Sequence, residues 1–386
     1  MRSFTYHVPT EIVFGPGTEK EAGRLCQKYG GRRVLVVSGG GSVRRSGLLD
    51  RLCDDLAQAG CRTVLFEGAQ PNPVVAHARE GVALALREGI DLILAVGGGS
   101  AIDTAKAIAI GAKQPENDLW DIWSKGLPVT ERLPVGVVLT IPAAGSETSA
   151  SAILSDPDTC EKRSVRSPLN VPVFAVLDPL LCATLPRRQV TCGVVDIMMH
   201  TLDRYFNGAF DNETSDALAE ALLRTVIRNG LRAVEDPGDG HAMGELMWCG
   251  SLSHNSLTGL GGTRDFTVHK LGNELSACYD VIHGESLSAL WTAWAAYVCD
   301  SHPERFAQLG QNVWGLSGDE LAWQAIRKTR AYFQTLGMPV SLTELGIPPH
   351  GAERLARCCS QNGTRTIGTF QVLEQRDMER IYALAY

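Results

Sequence analysis

Four side chains in the second half of the chain have the types and spacing of metal ligands. Asp196 and His200 lie four residues apart in a segment with helical character, which places both on one face of the helix. His269 and His283 follow, separated by fourteen residues. One carboxylate and three imidazoles suit a first-row divalent metal such as Fe²⁺ or Zn²⁺. The spacing leaves a second interpretation open, because Asp–His pairs four residues apart are often salt bridges on a helix surface.

Two glycine clusters in the first half have the character of phosphate-binding turns. Gly97 to Ser100 lies between a predicted strand and a predicted helix, where bare backbone can approach a pyrophosphate at the helix N-terminus. Asp103 and Lys106 fall on the first turns of that helix. Gly39 to Ser42 ends an earlier strand, where dinucleotide cofactors present their adenosine ribose. The G-x-G-x-x-G pattern is absent from this second cluster, and the first is also compatible with a tight turn that binds nothing.

The elements that must position these residues alternate in the first half of the chain. Short apolar runs followed by Gly- or Pro-rich turns predict strands over residues 33–37, 62–66, 91–96, 133–141 and 173–177. Helical periodicity predicts helices over 46–59, 74–88 and 101–111. This order of strand, turn and helix predicts an α/β fold class, with a parallel sheet covered by helices on both faces.

The second half of the chain has a different character. From about Pro186 onward, segments rich in Ala, Leu, Glu and Arg predict helices, for example over 213–229, 286–300 and 318–336. We therefore predict an α/β domain over residues 1–185 and an all-helical domain over residues 186–386. Because no linker is evident between them, we expect the domains to share a cleft, which is a preferred place for a ligand.

The composition argues against several classes of protein. The 386 residues are 44% hydrophobic and 20% charged, as in an ordinary globular enzyme. A net charge of -7 argues against broad attraction to nucleic acid or to an anionic membrane. No segment approaches the roughly 18 consecutive apolar residues of a membrane span. The first residues lack the apolar stretch of a secretory signal, and the odd number of cysteines, 11, fits free thiols in a reducing cytoplasm.

Five motifs in order resemble the iron-containing alcohol dehydrogenase family over nearly the whole chain. They are PNP (71–73), GGGSAIDTAK (97–106), TIPAAGSETS (140–149), VVDIMMH (194–200) and VHKLGNELSACYDVIHGE (268–285). Two further segments, VVSGGGSVRRSG (36–47) and PVFAVLDP (172–179), are similar to the branch of butanol dehydrogenases and NADPH-dependent aldehyde reductases.

The resemblance implies a Rossmann-like nucleotide-binding domain followed by an all-α metal-binding domain, the architecture of dehydroquinate synthase. It implies one divalent metal, Fe²⁺ or Zn²⁺, with the ligands Asp196, His200, His269 and His283. We assign the catalytic role to His200, His269, His283 and Asn273. The cofactor-binding residues are expected to be Gly39, Gly40, Ser42, Asn72, Gly98, Gly99, Ser100, Asp103, Thr140, Ser146, Lys162 and Leu180.

The implied activity is NADP(H)-linked hydride transfer between the nicotinamide and a primary alcohol/aldehyde pair, with the metal polarising the carbonyl. The expected partner is therefore a small-molecule aldehyde or alcohol, with no nucleic acid and no membrane. The resemblance also leads us to expect a cytoplasmic homodimer.

Two positions depart from the pattern of many relatives. NAD-preferring members tend to place an acid after the first strand, where this chain has Gly39, so a 2′-phosphate would not be repelled there and Gly40, Ser42 and Arg45 could bind it. Many members carry a second histidine four residues after the third ligand, where this chain has Asn273. The first departure favours NADP(H), and the second leaves the source of the proton undetermined.

Two alternative functions follow from the same features. Lyases similar to dehydroquinate synthase share the architecture and use NAD without net turnover, but they need extra basic residues for a phosphorylated substrate, and residues 196–285 contain few. A non-catalytic relative that kept only the fold is favoured by Asn273 alone, and the intact ligand set opposes it.

Overall fold

A computed structural model describes residues 2–208 and 211–386 of the chain. These residues divide into two compact units. The α/β unit comprises His7–Leu185 and Pro237–Ser251. The helical unit comprises Pro186–Asp236 and Leu252–Tyr386, together with the described residues up to Tyr6. Each unit buries a core of apolar side chains of its own.

The α/β unit contains a six-stranded parallel sheet and a separate antiparallel hairpin. Its strands are β1 (Glu11–Phe14), β2 (Arg33–Ser38), β3 (Arg62–Phe66), β4 (Leu92–Gly97), β5 (Val135–Leu139), β6 (Ser151–Asp156), β7 (Glu161–Arg166) and β8 (Phe174–Leu177). The sheet has the order β1-β8-β5-β4-β2-β3, and β6 pairs with β7 in the hairpin. Every neighbouring pair in the sheet is parallel, so the carboxyl ends of its strands meet at one edge.

The helices of the α/β unit pack against this sheet because its strands are apolar along their length. They are α1 (Ala22–Lys28), α2 (Ser42–Arg45), α3 (Leu48–Gln58), α4 (Val75–Glu88), α5 (Gly99–Gly111) and α6 (Leu119–Ser124). Val34 and Val36 of β2 share one apolar cluster with Leu25 of α1 and Leu52 of α3. Strands β4 and β5 are buried throughout, as expected for central strands of a parallel sheet.

The helical unit begins with α7, which carries two of the proposed metal ligands. The helices that follow Leu185 in the chain are α7 (Arg187–Tyr205), α8 (Glu213–Glu235), α9 (Gly240–His254), α10 (Thr267–Tyr279), α11 (His283–Val298), α12 (Pro303–Asn312), α13 (Leu321–Thr335), α14 (Gly351–Cys359) and α15 (Gln375–Leu384). Residues of α9 up to Ser251 cluster with the α/β unit. None of the helices in the described part of the chain has the length and apolar character needed to span a membrane.

The parallel sheet predicted from the sequence is confirmed. The five predicted strands correspond to β2, β3, β4, β5 and β8, with ends that differ by no more than two residues. Strand β1 and the β6–β7 hairpin were not predicted. The helix predicted over 46–59 is wrong at its start, because Gly47 adopts a left-handed conformation with φ of 68° and separates α2 from α3.

Candidate functional site

Three imidazole nitrogens surround one carboxylate oxygen in the helical unit. Asp196 and His200 lie one turn apart on α7, His269 lies on α10, and His283 is the first residue of α11. The Nε2 atoms of His200, His269 and His283 lie 3.4, 3.7 and 3.7 Å from Asp196 Oδ1. The structure therefore brings the four ligand candidates from the sequence into one cluster.

Two atoms of this cluster are buried without a hydrogen-bond partner, Asp196 Oδ1 and His269 Nε2. Buried polar atoms normally have partners, because removing them from water without one is costly. A divalent cation with nitrogen and oxygen ligands would satisfy both atoms at once. Asp196 and His200 are both buried, so they do not form the surface salt bridge that their spacing also allowed. The donor set therefore fits Fe²⁺ or Zn²⁺.

A second carboxylate orients His269. The Nδ1 atom of His269 is hydrogen-bonded to Oδ2 of the buried Asp203, and this leaves Nε2 directed at Asp196. Burial acts to lower the pKa of His269, but the carboxylates of Asp203 and Asp196 outweigh it and raise the pKa to about 9. Carboxylate support of this kind fixes the tautomer of metal-binding histidines. Asp203 was not predicted as a site residue, although its position three residues after His200 on the same helix is a signal that could have indicated it.

The ring of His200 is enclosed by other rings. His254 stacks on it with ring centroids 4.0 Å apart, and His269 stacks with centroids 4.3 Å apart. Phe266 presents its ring edge-on at 6.1 Å. Burial, followed by the neighbouring His254 and His269, lowers the pKa of His200 well below its usual value, which keeps the imidazole neutral and able to act as a ligand. Neither His254 nor Phe266 was predicted as a site residue.

Asn273 lies four residues after His269 on α10, as the sequence predicted. Its side chain is half-buried, and its Oδ1 atom is a buried acceptor without a hydrogen-bond partner. An amide can accept and donate hydrogen bonds but does not titrate near neutral pH. Asn273 therefore has an oxygen atom that can accept a hydrogen bond, one helical turn after the proposed ligand His269. It cannot supply a proton by titration near neutral pH.

In the α/β unit, Gly98, Gly99 and Ser100 form the start of α5 at the carboxyl end of β4. The first backbone N–H groups of a helix have no partner within the helix and attract anions. A Cβ atom at Gly98 would lie only 3.2 Å from the side chain of Ile141, whereas one at Gly99 would meet nothing within 4 Å. Close packing therefore restricts Gly98, and the segment leaves room for a ligand at Gly99.

Asp103 and Ser146 meet in a buried cluster behind this turn. Ser146 Oγ donates a hydrogen bond to Asp103 Oδ1 at 2.7 Å, and the backbone N–H of Ile153 donates to Asp103 Oδ2 at 3.2 Å. The Nζ atom of Lys106 lies 3.9 Å from Asp103 Oδ1. Burial raises the pKa of Asp103. Protein groups therefore hold Asp103, whereas the sequence predicts only a contact with the cofactor for this residue.

The remaining cofactor candidates lie in loops and in the hairpin of the α/β unit. Lys162 on β7 donates a hydrogen bond to Asn72 Oδ1 at 2.9 Å, so the structure brings these two together. Thr140 follows β5, and its N–H donates to Gly97 O at 3.1 Å. Leu180 is exposed in a short 3₁₀ turn that begins after Asp178. Thr140 and Gly97 therefore join the ends of two neighbouring strands at the edge where ligands bind in such sheets.

The turn after β2 contains Gly39, Gly40 and Ser42. A Cβ atom at Gly39 would lie 3.3 Å from Ala69 O, and one at Gly40 would meet nothing within 4 Å. The nearby Arg44 is paired with Glu67, with Nη2 and Oε2 2.6 Å apart. A side chain at Gly39 is therefore accommodated after a small shift.

Comparison with known proteins gives matches along the whole chain. Residues 9–179 match the family described as iron-containing alcohol dehydrogenase, and residues 190–386 match the C-terminal part of the Fe-containing alcohol dehydrogenase family. The chain is 38% identical to NADH-dependent butanol dehydrogenase A of Clostridium acetobutylicum, over 100% of both chains. It is 36% identical to the NADPH-dependent aldehyde reductase YqhD of Escherichia coli, also over 100% of both.

Solved structures give the same result. The crystal structure of NADH-dependent butanol dehydrogenase A from Thermotoga maritima matches with a TM-score of 0.97 and 34% identity, over 100% of this chain and 99% of that one. A crystal structure of YqhD from Escherichia coli matches with a TM-score of 0.95 and 34% identity, over 100% and 99%. The names of these relatives differ in the cofactor, NADH for one group and NADPH for the other.

Proposed function

The chain belongs to the iron-containing alcohol dehydrogenase family, and we propose that it is a member that uses NADP(H) to interconvert primary alcohols and aldehydes. The metal dependence and the alcohol dehydrogenase or aldehyde reductase activity follow from the family and its named relatives. Because those relatives are dehydrogenases and a reductase, they give no support to the lyase alternative.

The observation that carries the proposal is the cluster of three imidazoles around Asp196 Oδ1. Two atoms of this cluster that could bind a metal, Asp196 Oδ1 and His269 Nε2, are buried without a hydrogen-bond partner. We propose that Asp196, His200, His269 and His283 hold one divalent metal, Fe²⁺ or Zn²⁺. When bound, such an ion supplies Lewis-acid polarisation of a carbonyl or alcohol oxygen.

The chain's own residues prepare this site. Asp203 holds the His269 tautomer that directs Nε2 into the cluster. The stacked ring of His254 and the burial of His200 limit access of water from that side. The amide of Asn273 can form a hydrogen bond with a water molecule, a ribose hydroxyl or the substrate, but it cannot titrate. We therefore propose that the proton of the alcohol hydroxyl comes from solvent or through the cofactor ribose.

We propose that the α/β unit, which the sequence predicts over residues 1–185, is a Rossmann-like domain that binds the dinucleotide. We propose that the helical unit, which the sequence predicts over residues 186–386, is the all-α metal-binding domain of a dehydroquinate synthase-like architecture. In this proposal the pyrophosphate lies at the N-terminus of α5, at Gly98, Gly99 and Ser100. Asn72 and Lys162, which are hydrogen-bonded to each other, would contact the cofactor from the hairpin side. Asp103 and Ser146 would shape the same segment from behind.

The preference for NADP(H) is supported by the turn after β2. Gly39 places no carboxylate there, and Arg45 is exposed on α2. Arg44 is already paired with Glu67, so we assign the contact with a 2′-phosphate to Gly40, Ser42 and Arg45. The relatives do not decide this point, since their names include both cofactors.

We also propose a cytoplasmic homodimer. The cytoplasmic location is proposed from the sequence, since an odd number of cysteines, 11, is typical of proteins of a reducing compartment. The dimer is proposed from the family resemblance, and sedimentation of the metal-loaded protein tests it.

The decisive experiment combines metal analysis with cofactor oxidation. Protein purified without oxygen should contain one Fe or Zn per chain and should oxidise NADPH faster than NADH when butanal is added. Asp196→Ala should lose the metal and the activity together. His350→Ala is the control, because His350 is exposed on the same unit and is not one of the four proposed ligands, and it should retain both. Metal-loaded protein that oxidises neither cofactor with any of a panel of aldehydes would refute the proposal.

A further inference from the structure

Phe266 has a backbone conformation that phenylalanine rarely adopts. It immediately precedes α10 with φ of 53° and ψ of 23°, in the left-handed region. Residues with a Cβ atom adopt this conformation at a cost, and Asn and Gly adopt it most readily. Strained residues persist where the surrounding structure determines them fully, and they concentrate at functional sites.

The turn that contains Phe266 is fixed on both sides. The backbone N–H of Asp265 donates to Asp203 O at 3.1 Å. The Asp265 carboxylate accepts hydrogen bonds from the backbone N–H groups of Thr267, Thr369 and Phe370, at 2.9, 2.7 and 2.9 Å. These bonds keep the strained backbone in place and connect it to Asp203, which orients His269.

The strained backbone directs an aromatic ring at the proposed metal ligands. The ring of Phe266 meets those of His200 and His269 edge-on, with centroids 6.1 and 5.4 Å apart. The guanidinium carbon of the buried Arg204 lies 4.8 Å from the centre of the Phe266 ring. In spite of these contacts the side chain is only half-buried. Phe266 therefore contacts the rings of two proposed ligands and still retains surface that is accessible to a ligand.

We infer that Phe266 is the apolar wall of the substrate site, against which the chain of the aldehyde or alcohol lies. The inference rests on the proposed function and makes it more specific. A hydrocarbon surface beside the proposed metal ligands favours alkyl and aryl aldehydes, whose apolar chains gain free energy when they are buried against it. Short, hydroxylated or charged aldehydes gain little from the same contact, because they have little apolar surface or must lose hydration.

The expected signature is a dependence on chain length. Full burial of one methylene group contributes about 0.8 kcal/mol, which corresponds to about a fourfold gain in affinity. Contact on one side only contributes about half of that free energy, which corresponds to about a twofold gain. The kcat/KM of the wild type should therefore rise about two- to fourfold per methylene from acetaldehyde to hexanal. The rise should come mainly through KM, because the wall touches the chain and not the reacting carbon.

Phe266→Asn is the sharpest variant, because asparagine accepts the left-handed backbone and removes the apolar ring. The metal-loaded variant should show a nearly flat dependence of kcat/KM on chain length, and Phe266→Leu an intermediate one. Trp323→Asn is the matched control, since Trp323 is an exposed aromatic on α13 and its loss should leave the dependence as in the wild type. Metal content and the midpoint of unfolding are measured for each protein.

A binding measurement separates this inference from catalysis. Calorimetric titration of the metal-loaded, NADPH-bound enzyme with butanamide and hexanamide, which do not react, should show tighter binding of the longer amide by wild type and not by Phe266→Asn. Equal chain-length dependence in the wild type, Phe266→Asn and Phe266→Leu, at equal metal content, would overturn the inference. Failure of the wild type to reduce any aldehyde would instead refute the proposed function, so the two results are distinguishable.

Discussion

Replacing Lys106 by methionine should change the pH dependence of stability in a way that follows from its contacts. Lys106 is fully buried on α5, and its Nζ atom donates hydrogen bonds to the carbonyl oxygens of Ser146, Ser149 and Ser151 at 2.8, 3.1 and 2.8 Å. Each of these buried acceptors loses its donor in Lys106→Met, at a cost of about 1–3 kcal/mol each. Methionine also removes the cost of burying an ammonium group, which offsets part of that loss.

The size of that offset can be worked from the pKa of Lys106. Burial lowers the pKa from 10.5 to about 8, in spite of the opposing charges of Asp103 and Glu147. The difference corresponds to about 3 kcal/mol. We therefore expect Lys106→Met to lower the free energy of unfolding by up to about 6 kcal/mol at pH 7, where the wild type still retains the buried charge.

The sign of the pH effect follows from where the proton is bound. Between pH 8 and 10.5, the folded state has released the Lys106 proton and the unfolded state still binds it, so this group makes the folded state more stable as pH rises. Lys106→Met lacks the effect. The difference in free energy of unfolding between wild type and variant should therefore grow by about 2–3 kcal/mol from pH 7 to pH 10.

Urea-induced unfolding, followed by far-ultraviolet circular dichroism at pH 7, 8, 9 and 10, measures this difference. Comparing the two proteins removes the contribution of thiols and tyrosines that titrate in the same range in both. A difference that stays constant over this range would refute the reasoning. It would show that the three carbonyl oxygens stabilise the ammonium group as well as water does.

Three further predictions concern the site. His283→Ala and Asp196→Ala should each lower turnover by orders of magnitude and lower the metal content, with the unfolding midpoint little changed; full metal content and full activity in His283→Ala would contradict the ligand assignment. Gly39→Asp should weaken NADPH and shift the ratio of dissociation constants toward NADH, since like charges a few ångström apart cost about one to several kcal/mol, while the uncharged Gly39→Asn should not; an unchanged ratio in Gly39→Asp argues against the assignment. Asn273→His should raise turnover and add an ionisation between about pH 6 and 8, and a pH profile identical to that of the wild type would show that this position takes no part in proton transfer.

The central strands of the sheet were predictable because they are buried on both sides. Strands such as β2 and β4 are continuous apolar runs that end at or next to glycine. A short apolar run bounded by a turn is typical of a buried strand in a parallel sheet. The β6–β7 hairpin could not be found in this way. The sequence of β7, EKRSVR, has neither an apolar run nor clear alternation, and its strand conformation depends on pairing with β6. Tertiary pairing, which no local pattern records, determines it.

The cluster of the four proposed metal ligands was predictable for a different reason. Asp196 and His200 share a helix face, and the motifs around His269 and His283 are specific to a family. The residues that support the cluster follow no such rule. Phe266 contacts the ligands only because the segment before α10 turns back on α7, and this turn depends on Asp265 and on backbone groups about one hundred residues away. Long-range hydrogen bonds of this kind cannot be deduced from spacing.

Helix α7 holds two proposed ligands, Asp196 and His200, together with Asp203, which supports a third. The backbone positions of these three residues can separate only when the helix itself opens, and such local unfolding is rare in a buried segment. Exchange of the ion with solvent would then be slow, and its rate would follow helix opening rather than affinity. Whichever divalent ion is present while α7 folds would be retained, so the metal found in the purified enzyme would record the conditions of its synthesis.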